Sequence, residues 1–61
     1  MLYIPVNEAL PKYVENCAFV YIKLKDGRIR KGMFYKNGGK PTFASYGAEI
    51  KIEDIQSWAY R

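Results

Sequence analysis

The sequence predicts a single small all-β domain, folded as an antiparallel meander or an SH3-like open barrel of about five short strands. Three observations support this prediction. Runs rich in Val, Ile, Tyr and Phe have the length of strands, turn-forming residues separate them at short intervals, and no segment shows the length or the periodicity of a helix. Because the chain has 61 residues, we expect one domain spanning residues 1–61.

The first element is a predicted strand in "LYIPV". The "NEAL" segment that follows allows at most one helical turn, with Asn7 as its N-cap and Pro11 ending it.

The second element is a predicted hairpin in "CAFVYIKLKDGRIRKGMFYK". Asp26-Gly27 favours a two-residue type I′ turn, because glycine accepts the positive φ that this turn needs. This turn pairs Leu24 with Ile29 and sorts the side chains onto two faces. The predicted core face carries Ala18, Val20, Ile22, Leu24, Ile29, Met33 and Tyr35, with Lys31 as its charged member. The predicted opposite face carries Phe19, Tyr21, Lys23, Lys25, Arg28, Arg30 and Phe34, with Tyr21 lying across Gly32.

The remaining elements follow a turn at "KNGGKP". "TFASY" and "EIKI" are predicted strands, and "EDIQSWAYR" is a short turn followed by a last strand with Trp58 and Tyr60. Corners or bulges of the sheet are expected at Gly32, Gly38, Gly39 and Gly47.

The size of the chain limits the core that it can bury. A domain this short buries roughly 60% of the surface that its unfolded chain exposes. Small domains commonly add disulfides, metals or a partner chain. Cys17 is the only cysteine and histidine is absent, which excludes an internal disulfide and a Cys/His zinc site within one chain. We therefore expect a homo-oligomer.

The sequence also predicts a cytoplasmic protein without a membrane partner. The first residues lack the charged and apolar regions of a signal peptide. The longest uncharged apolar stretch, Cys17 to Ile22, is too short to cross a bilayer. A lone thiol fits a reducing compartment.

Positive charge is concentrated in the middle of the chain. The net charge is +4 and the basic residues cluster between Lys23 and Lys40, where Asp26 is the only acidic residue. A local cation excess of this kind bears on partners and solubility rather than on fold.

The two ends carry a resemblance to a known family. "YIPVNEALP" resembles the W-I-P-V-x-x-x-L-P opening of short domains of unknown function from bacterial genomes and prophages, and "IEDIQSWAYR" resembles their H-W-M-P-L-like C-terminal strand. Tyr3 replaces the usual tryptophan, and "SWAY" replaces H-W-M-P. The resemblance implies an origin in a prophage or another mobile element and brings no activity with it.

Residues suited to catalysis are few. Without histidine, proton transfer would fall to carboxylates, lysines or tyrosines. Glu49, Glu53 and Asp54 suit a solvated turn, and Cys17 has no histidine to activate it. "KNGGK" lacks the spacing of a phosphate-binding loop. We predict a protein that is not an enzyme and needs no metal, cofactor or small-molecule substrate.

Two binding hypotheses remain. The first is a self-associating protein-interaction module, whose sheet edges pair with another chain; Trp58 and Tyr60 are then either core residues or anchors of an interface. The alternative is a nucleic-acid-binding module, because cations and aromatic rings on one sheet face are typical of single-strand binders. That face of the hairpin comprises Phe19, Tyr21, Lys23, Lys25, Arg28, Arg30 and Phe34.

Overall fold

A computed structural model describes residues 2–12 and 17–61 and shows an all-β chain, which confirms the predicted fold class. The strands are β1 (Ile4–Pro5), β2 (Cys17–Leu24), β3 (Ile29–Asn37), β4 (Lys40–Ser45), β5 (Ala48–Ile50) and β6 (Ile55–Tyr60). The prediction of about five strands is therefore close to the number observed. In the described part of the chain, no helix is long and apolar enough to cross a membrane.

The helical element of the described residues is a short 3-10 turn, Ile52–Asp54, immediately before β6. The "NEAL" segment predicted to allow a helical turn makes only a hydrogen-bonded turn after β1. There the carbonyl of Pro5 accepts the N–H groups of Glu8 at 3.0 Å and Ala9 at 3.3 Å. This turn does not continue as a helix through Lys12.

All six strands belong to one antiparallel sheet with the order β1-β6-β2-β3-β4-β5. The run from β2 to β5 is the predicted meander. The last strand, β6, then returns to lie between β1 and β2. The two edges, β1 and β5, do not pair with each other, so the sheet formed by the described residues is open. β2 is consequently a central strand, flanked by β3 and β6.

The turn between β2 and β3 differs from the predicted type I′ turn. Gly27 N–H donates to the Leu24 carbonyl at 2.9 Å, and Leu24 N–H donates to the Arg28 carbonyl at 2.8 Å. Gly27 has φ 93°. This is a three-residue loop, a type I turn followed by glycine in the left-handed region, and it suits an Asp-Gly pair as well as a type I′ turn does. The Asp26 carboxylate strengthens it by accepting Arg28 N–H at 2.9 Å.

The longer loop shifts the pairing of β3 by one residue from the prediction. Lys23 pairs with Ile29 and Phe19 pairs with Met33. A shift of one residue moves every side chain of a strand to the other side of the sheet. The predicted faces of β2 are therefore right, and those of β3 are wrong: Phe34 lies in the core, whereas Ile29, Met33 and Tyr35 lie on the opposite side.

The core lies on one side of the sheet and consists of residues from β2, β3, β4 and β6. Phe34 and Phe43 face each other across β3 and β4, with ring centroids 4.6 Å apart. The fully buried Trp58 donates its Nε1–H to the Ala9 carbonyl at 2.8 Å, so its one polar atom is satisfied. The buried cluster comprises Ala18, Val20, Ile22, Phe34, Phe43, Ile55 and Trp58.

Gly32 marks a close approach between strands in this core. It pairs with Val20, so the predicted contact with Tyr21 is wrong, since Tyr21 pairs with Lys31. A Cβ atom at Gly32 would collide with the backbone carbonyl oxygen of Ala44 and come within 2.7 Å of Ile22 Cδ1. Only glycine fits at this position because the colliding atom belongs to the backbone.

Candidate binding face

The side of the sheet away from the core, here called the outer face, is the candidate site. Strand alternation and the observed register place six neighbouring side chains of β2 and β3 there, and Arg61 follows β6 on the same side. The candidate site on this face comprises Phe19, Tyr21, Lys23, Lys31, Met33, Tyr35 and Arg61, and Cys17 and Ile29 lie on the same side at the two ends of the hairpin. Small residues of β4 and β6 lie buried beside them, namely Thr42, Ala44, Ser57 and Ala59.

Apolar groups on the outer face are open to solvent. The side chain of Phe19 is 54% exposed and that of Met33 is 37% exposed, although both lie on the two best-paired strands of the sheet. Tyr21 and Tyr35 beside them are partly exposed. Large apolar side chains grouped on one surface of a small protein are typical of a binding site.

Positively charged side chains lie next to aromatic rings on the outer face. The Arg61 guanidinium carbon lies 5.3 Å from the centroid of the Phe19 ring, and Arg61 Nη2–H donates to the Gly32 carbonyl at 3.0 Å. Lys23 Nζ lies 5.9 Å from the centroid of the Tyr3 ring. Both distances are typical of cation–π contacts, in which the ring holds the charged group in place without neutralising its charge.

No carboxylate of the described residues forms an ion pair with Lys23, Lys31 or Arg61. Glu49 of the edge strand β5 pairs with Ala44 and is therefore on the outer side of the sheet. It lines a groove beside the Ile52–Asp54 turn, away from these three cations. The positive charge of the outer face is therefore available to an anionic partner.

A groove of about 350 Å³ opens at the β4–β5 side of the outer face. The Tyr46 groove, as we call it, is lined by Lys31, Gly32, Met33, Tyr35, Ala44, Tyr46, Gly47 and Arg61. It therefore brings two of the three outer-face cations next to three apolar or aromatic side chains.

Tyr46 has an unusual backbone. Its φ is 51° and that of Gly47 is 79°, so the two form the mirror-image turn between β4 and β5. The left-handed region costs an ordinary L-residue about 1–2 kcal/mol. Asn, Asp and Gly are the usual residues there, yet this chain has a tyrosine that is 89% exposed.

The seven residues predicted as a binding face do not stay together. Phe19, Tyr21 and Lys23 share the outer face. Phe34 is buried in the core with 1% exposure, so its predicted place on a binding face is wrong. The cause is the one-residue shift of β3.

The predicted cations of the hairpin tip also lie apart from the outer face. Lys25 is in the loop, where its N–H donates to the Asp54 carbonyl at 2.9 Å. Arg28 Nε lies 3.5 Å from Asp26 Oδ2 on the exposed loop. Arg30 pairs with Ile22 and therefore projects from the core side, at the solvated end of the hairpin. The tip is basic, but these three cations are not on the outer face.

Sequence reasoning missed Lys31, Met33, Tyr35, Tyr46 and Arg61. A three-residue loop at Asp26-Gly27 would have placed the first three on the outer face. Arg61 could be placed only once β6 was known to lie beside β2, which depends on pairing between residues far apart in the sequence. Tyr46 carried a local signal, since an aromatic residue before glycine in a tight turn is unusual.

Trp58 and Tyr60 have structural roles in the described chain. Trp58 is buried, so its alternative role as an exposed interface anchor is wrong. Tyr60 packs edge-to-face on Trp58 at 4.8 Å, and its hydroxyl oxygen accepts Lys12 N–H at 2.8 Å. Together with the Trp58–Ala9 hydrogen bond, this contact fixes the segment after β1 against β6.

A second groove, of about 450 Å³, lies on the side of the Ile52–Asp54 turn. Its apolar lining includes Leu10 and Ile52, both substantially exposed. Charges of both signs border this Leu10 groove: Lys40, Lys51, Glu49 and Glu53.

Other chemistry is sparse in the described residues. No group of three or more Cys, Asp and Glu side chains is placed to hold a metal ion among residues 2–12 and 17–61. Glu53 and Asp54 are exposed in the 3-10 turn, and Cys17 is a partly buried free thiol.

Comparison with family models, curated proteins and solved structures gave no match to this chain. The resemblance of its two ends to a bacterial and prophage family therefore stays a prediction.

Proposed function

We propose that the protein is a small non-enzymatic binding module whose outer face binds single-stranded nucleic acid. One observation carries the proposal: exposed rings, and cations that pair with no carboxylate among residues 2–12 and 17–61, share one face of the sheet. Single-strand binders combine these two kinds of group, because cations follow the phosphates and rings stack on the bases.

The charge of the face favours an anionic partner. Lys23, Lys31 and Arg61 lie on it, and the described acidic residues lie elsewhere or at its far edge. A second copy of the chain would bring the same cations into opposition, which is unfavourable in a desolvated contact. Self-association through this face is therefore disfavoured.

The rings favour a single strand over a duplex. Phe19, Tyr21 and Tyr35 lie on a sheet surface and not at the tip of a protruding element. Bases of a duplex are stacked on one another and offer only their edges in the grooves. The rings of the outer face would find open base surfaces only on a single strand.

The direct test is the affinity for an oligothymidine of about twelve nucleotides, within the range that small single-strand-binding folds cover. Fluorescence anisotropy between about 50 and 200 mM salt measures the phosphate contacts. Three cations predict a slope of log affinity against log salt near −2, and a fall in affinity of roughly twentyfold over this range. A duplex of the same length should bind more weakly.

Two double variants of equal charge provide the control. Lys23→Glu with Lys31→Glu removes cations from the outer face, and Lys12→Glu with Lys51→Glu removes exposed cations elsewhere. We expect the first pair to lower affinity at least about tenfold and to flatten the salt slope, and the second to change affinity far less. Equal losses in both pairs would show a non-specific charge effect and contradict the assignment of the face.

A second function, self-association, is supported by the Leu10 groove. Its exposed apolar residues are bordered by both signs of charge, so two copies can face each other without net repulsion. Light scattering over a concentration series tests this. A dimer that Ile52→Glu converts to a monomer supports it, and a monomer at high micromolar concentration rejects it.

A further inference from the structure

We propose that the Tyr46 groove is a base pocket, in which one unpaired base of the bound strand stacks against the Tyr46 ring. This inference rests on the proposed function and specifies where on the outer face the base is held. It follows from the size of the groove, the groups that line it and the conformation of Tyr46.

The groove has the dimensions of a site for one small flat group. Its volume of about 350 Å³ is at the lower end of the roughly 300–1,000 Å³ of typical ligand sites. Small residues, Gly32 and Ala44, contribute to its lining, and the larger Met33, Tyr35 and Tyr46 contribute apolar surface. A volume of this size is sufficient for a single nucleobase.

The two cations that line the groove, Lys31 and Arg61, are available to the phosphates of a bound strand. Arg61 is fixed by its hydrogen bond to the Gly32 carbonyl and by the Phe19 ring, and its remaining N–H groups are free of carboxylates in the described chain. Lys31 is exposed and makes no ion pair there. Two cations that line the same groove favour a nucleotide chain, which carries phosphates, over a neutral aromatic ligand.

The conformation of Tyr46 is not explained by the fold. Its ring is 89% exposed and makes no ring or cation contact in the described residues, while its φ of 51° is strained for a tyrosine. Asn or Gly would form the same turn without strain. Backbone strain at so exposed a residue is typical of a position kept for binding.

The test compares Tyr46→Asn with Tyr46→Phe in the full chain. Asn relieves the backbone strain but removes the ring, so the melting temperature should rise by a few degrees while affinity for oligothymidine falls roughly five- to hundredfold, the range for loss of one stacking ring. Phe keeps both the strain and the ring, so both quantities should stay close to those of the unchanged protein. A purely structural role for Tyr46 does not predict opposite changes of stability and affinity.

An abasic strand of the same length and charge separates stacking from phosphate contacts. The unchanged protein should bind it more weakly than oligothymidine, and Tyr46→Asn should leave its affinity unaltered. If Tyr46→Asn binds oligothymidine as tightly as the unchanged protein does, the base pocket is rejected and the proposed function stands. If the unchanged protein binds neither strand, the base pocket and the proposed function are both rejected. If Tyr46→Asn instead converts a dimer to a monomer, the groove holds a second copy of the chain and the base pocket is overturned.

Discussion

The two faces of β2 and β3 are built from the same hairpin and differ in what covers them. On the core side, Val20, Ile22 and Phe34 are almost completely buried in a cluster that includes Trp58 and is packed by Ile4 and Val6. On the outer face, Phe19 and Met33 have comparable apolar character and remain exposed. Folding buries the core side, whereas Phe19, Met33 and Lys31 of the outer face stay exposed in the described chain.

This difference shows that one additional residue in a turn decides which side chains of the next strand are exposed. If β3 followed the type I′ register, Met33, Ile29 and Tyr35 would join the core and Phe34 would join the cations. The three-residue loop at Gly27 reverses that assignment. The mutations below test whether the faces are assigned correctly, from the largest expected effect to the smallest.

The sharpest contrast is a carboxylate on each face. Val20→Asp puts an unpaired charge where the side chain is fully buried, and this cost exceeds the roughly 3–5 kcal/mol that so small a core supplies. We expect circular dichroism to show an unfolded chain. Lys23→Glu, three residues away on the outer face, should keep the spectrum and the cooperative melting of the folded protein. Two equally harmless changes would mean that the faces of β2 are wrongly assigned.

The register of β3 is tested by truncating two adjacent residues. Phe34→Ala removes a core ring and should lower the free energy of unfolding by about 3–5 kcal/mol. Met33→Ala removes a side chain that lies on the outer face and should cost less than about 1 kcal/mol. Urea unfolding measures both. The opposite ranking is what the type I′ register predicts.

The close approach at Gly32 predicts an intermediate effect. Gly32→Ala introduces a Cβ that meets the Ala44 carbonyl oxygen and the Ile22 side chain. Overpacking of this kind lowers the free energy of unfolding by about 1–3 kcal/mol. We expect a loss in the upper part of that range, because the backbone oxygen of Ala44 has little freedom to move. Thermal melting of Lys31→Ala, at the preceding and exposed position, is the control and should change little. A fully stable Gly32→Ala protein would show that β3 and β4 are further apart.

The smallest predicted effect lies in the turn itself. Asp26→Ala removes the acceptor of Arg28 N–H and should lower the free energy of unfolding by about 0.5–1.5 kcal/mol. Asp26→Asn keeps an acceptor but loses the exposed ion pair with Arg28, so it should be nearly neutral. If Asn proved as costly as Ala in denaturant unfolding, the ion pair and not the hydrogen bond would stabilise the loop.

Local patterns determined what could be predicted from the sequence. The alternation of β2 was sufficient to place Val20 and Ile22 in the core, and strand-length runs between turn residues were sufficient for the all-β class. The face of β3 was not predictable in the same way, because Asp26-Gly27 fits two turns that differ by one residue.

The candidate site depended on more distant information. Arg61 meets Phe19 only because β6 lies next to β2, and the strand order is decided by burial of Trp58 and Ile55 rather than by any local signal. Tyr46 stood out by contradicting the residue preference of its own turn, but that signal did not show what the ring is for. Local reasoning therefore found the three outer-face residues of β2, missed those of β3 because the turn was assigned wrongly, and missed Arg61 because it depends on tertiary pairing.

Backbone amide chemical shifts of the isotope-labelled protein, followed by NMR as oligothymidine is added, test the central claim most directly. Binding at the outer face predicts saturable shifts centred on Phe19, Tyr21, Lys31, Tyr46 and Arg61, with little change around Leu10 and Ile52. Shifts centred on the Leu10 groove, or an unchanged spectrum at saturating oligonucleotide and low salt, would contradict it.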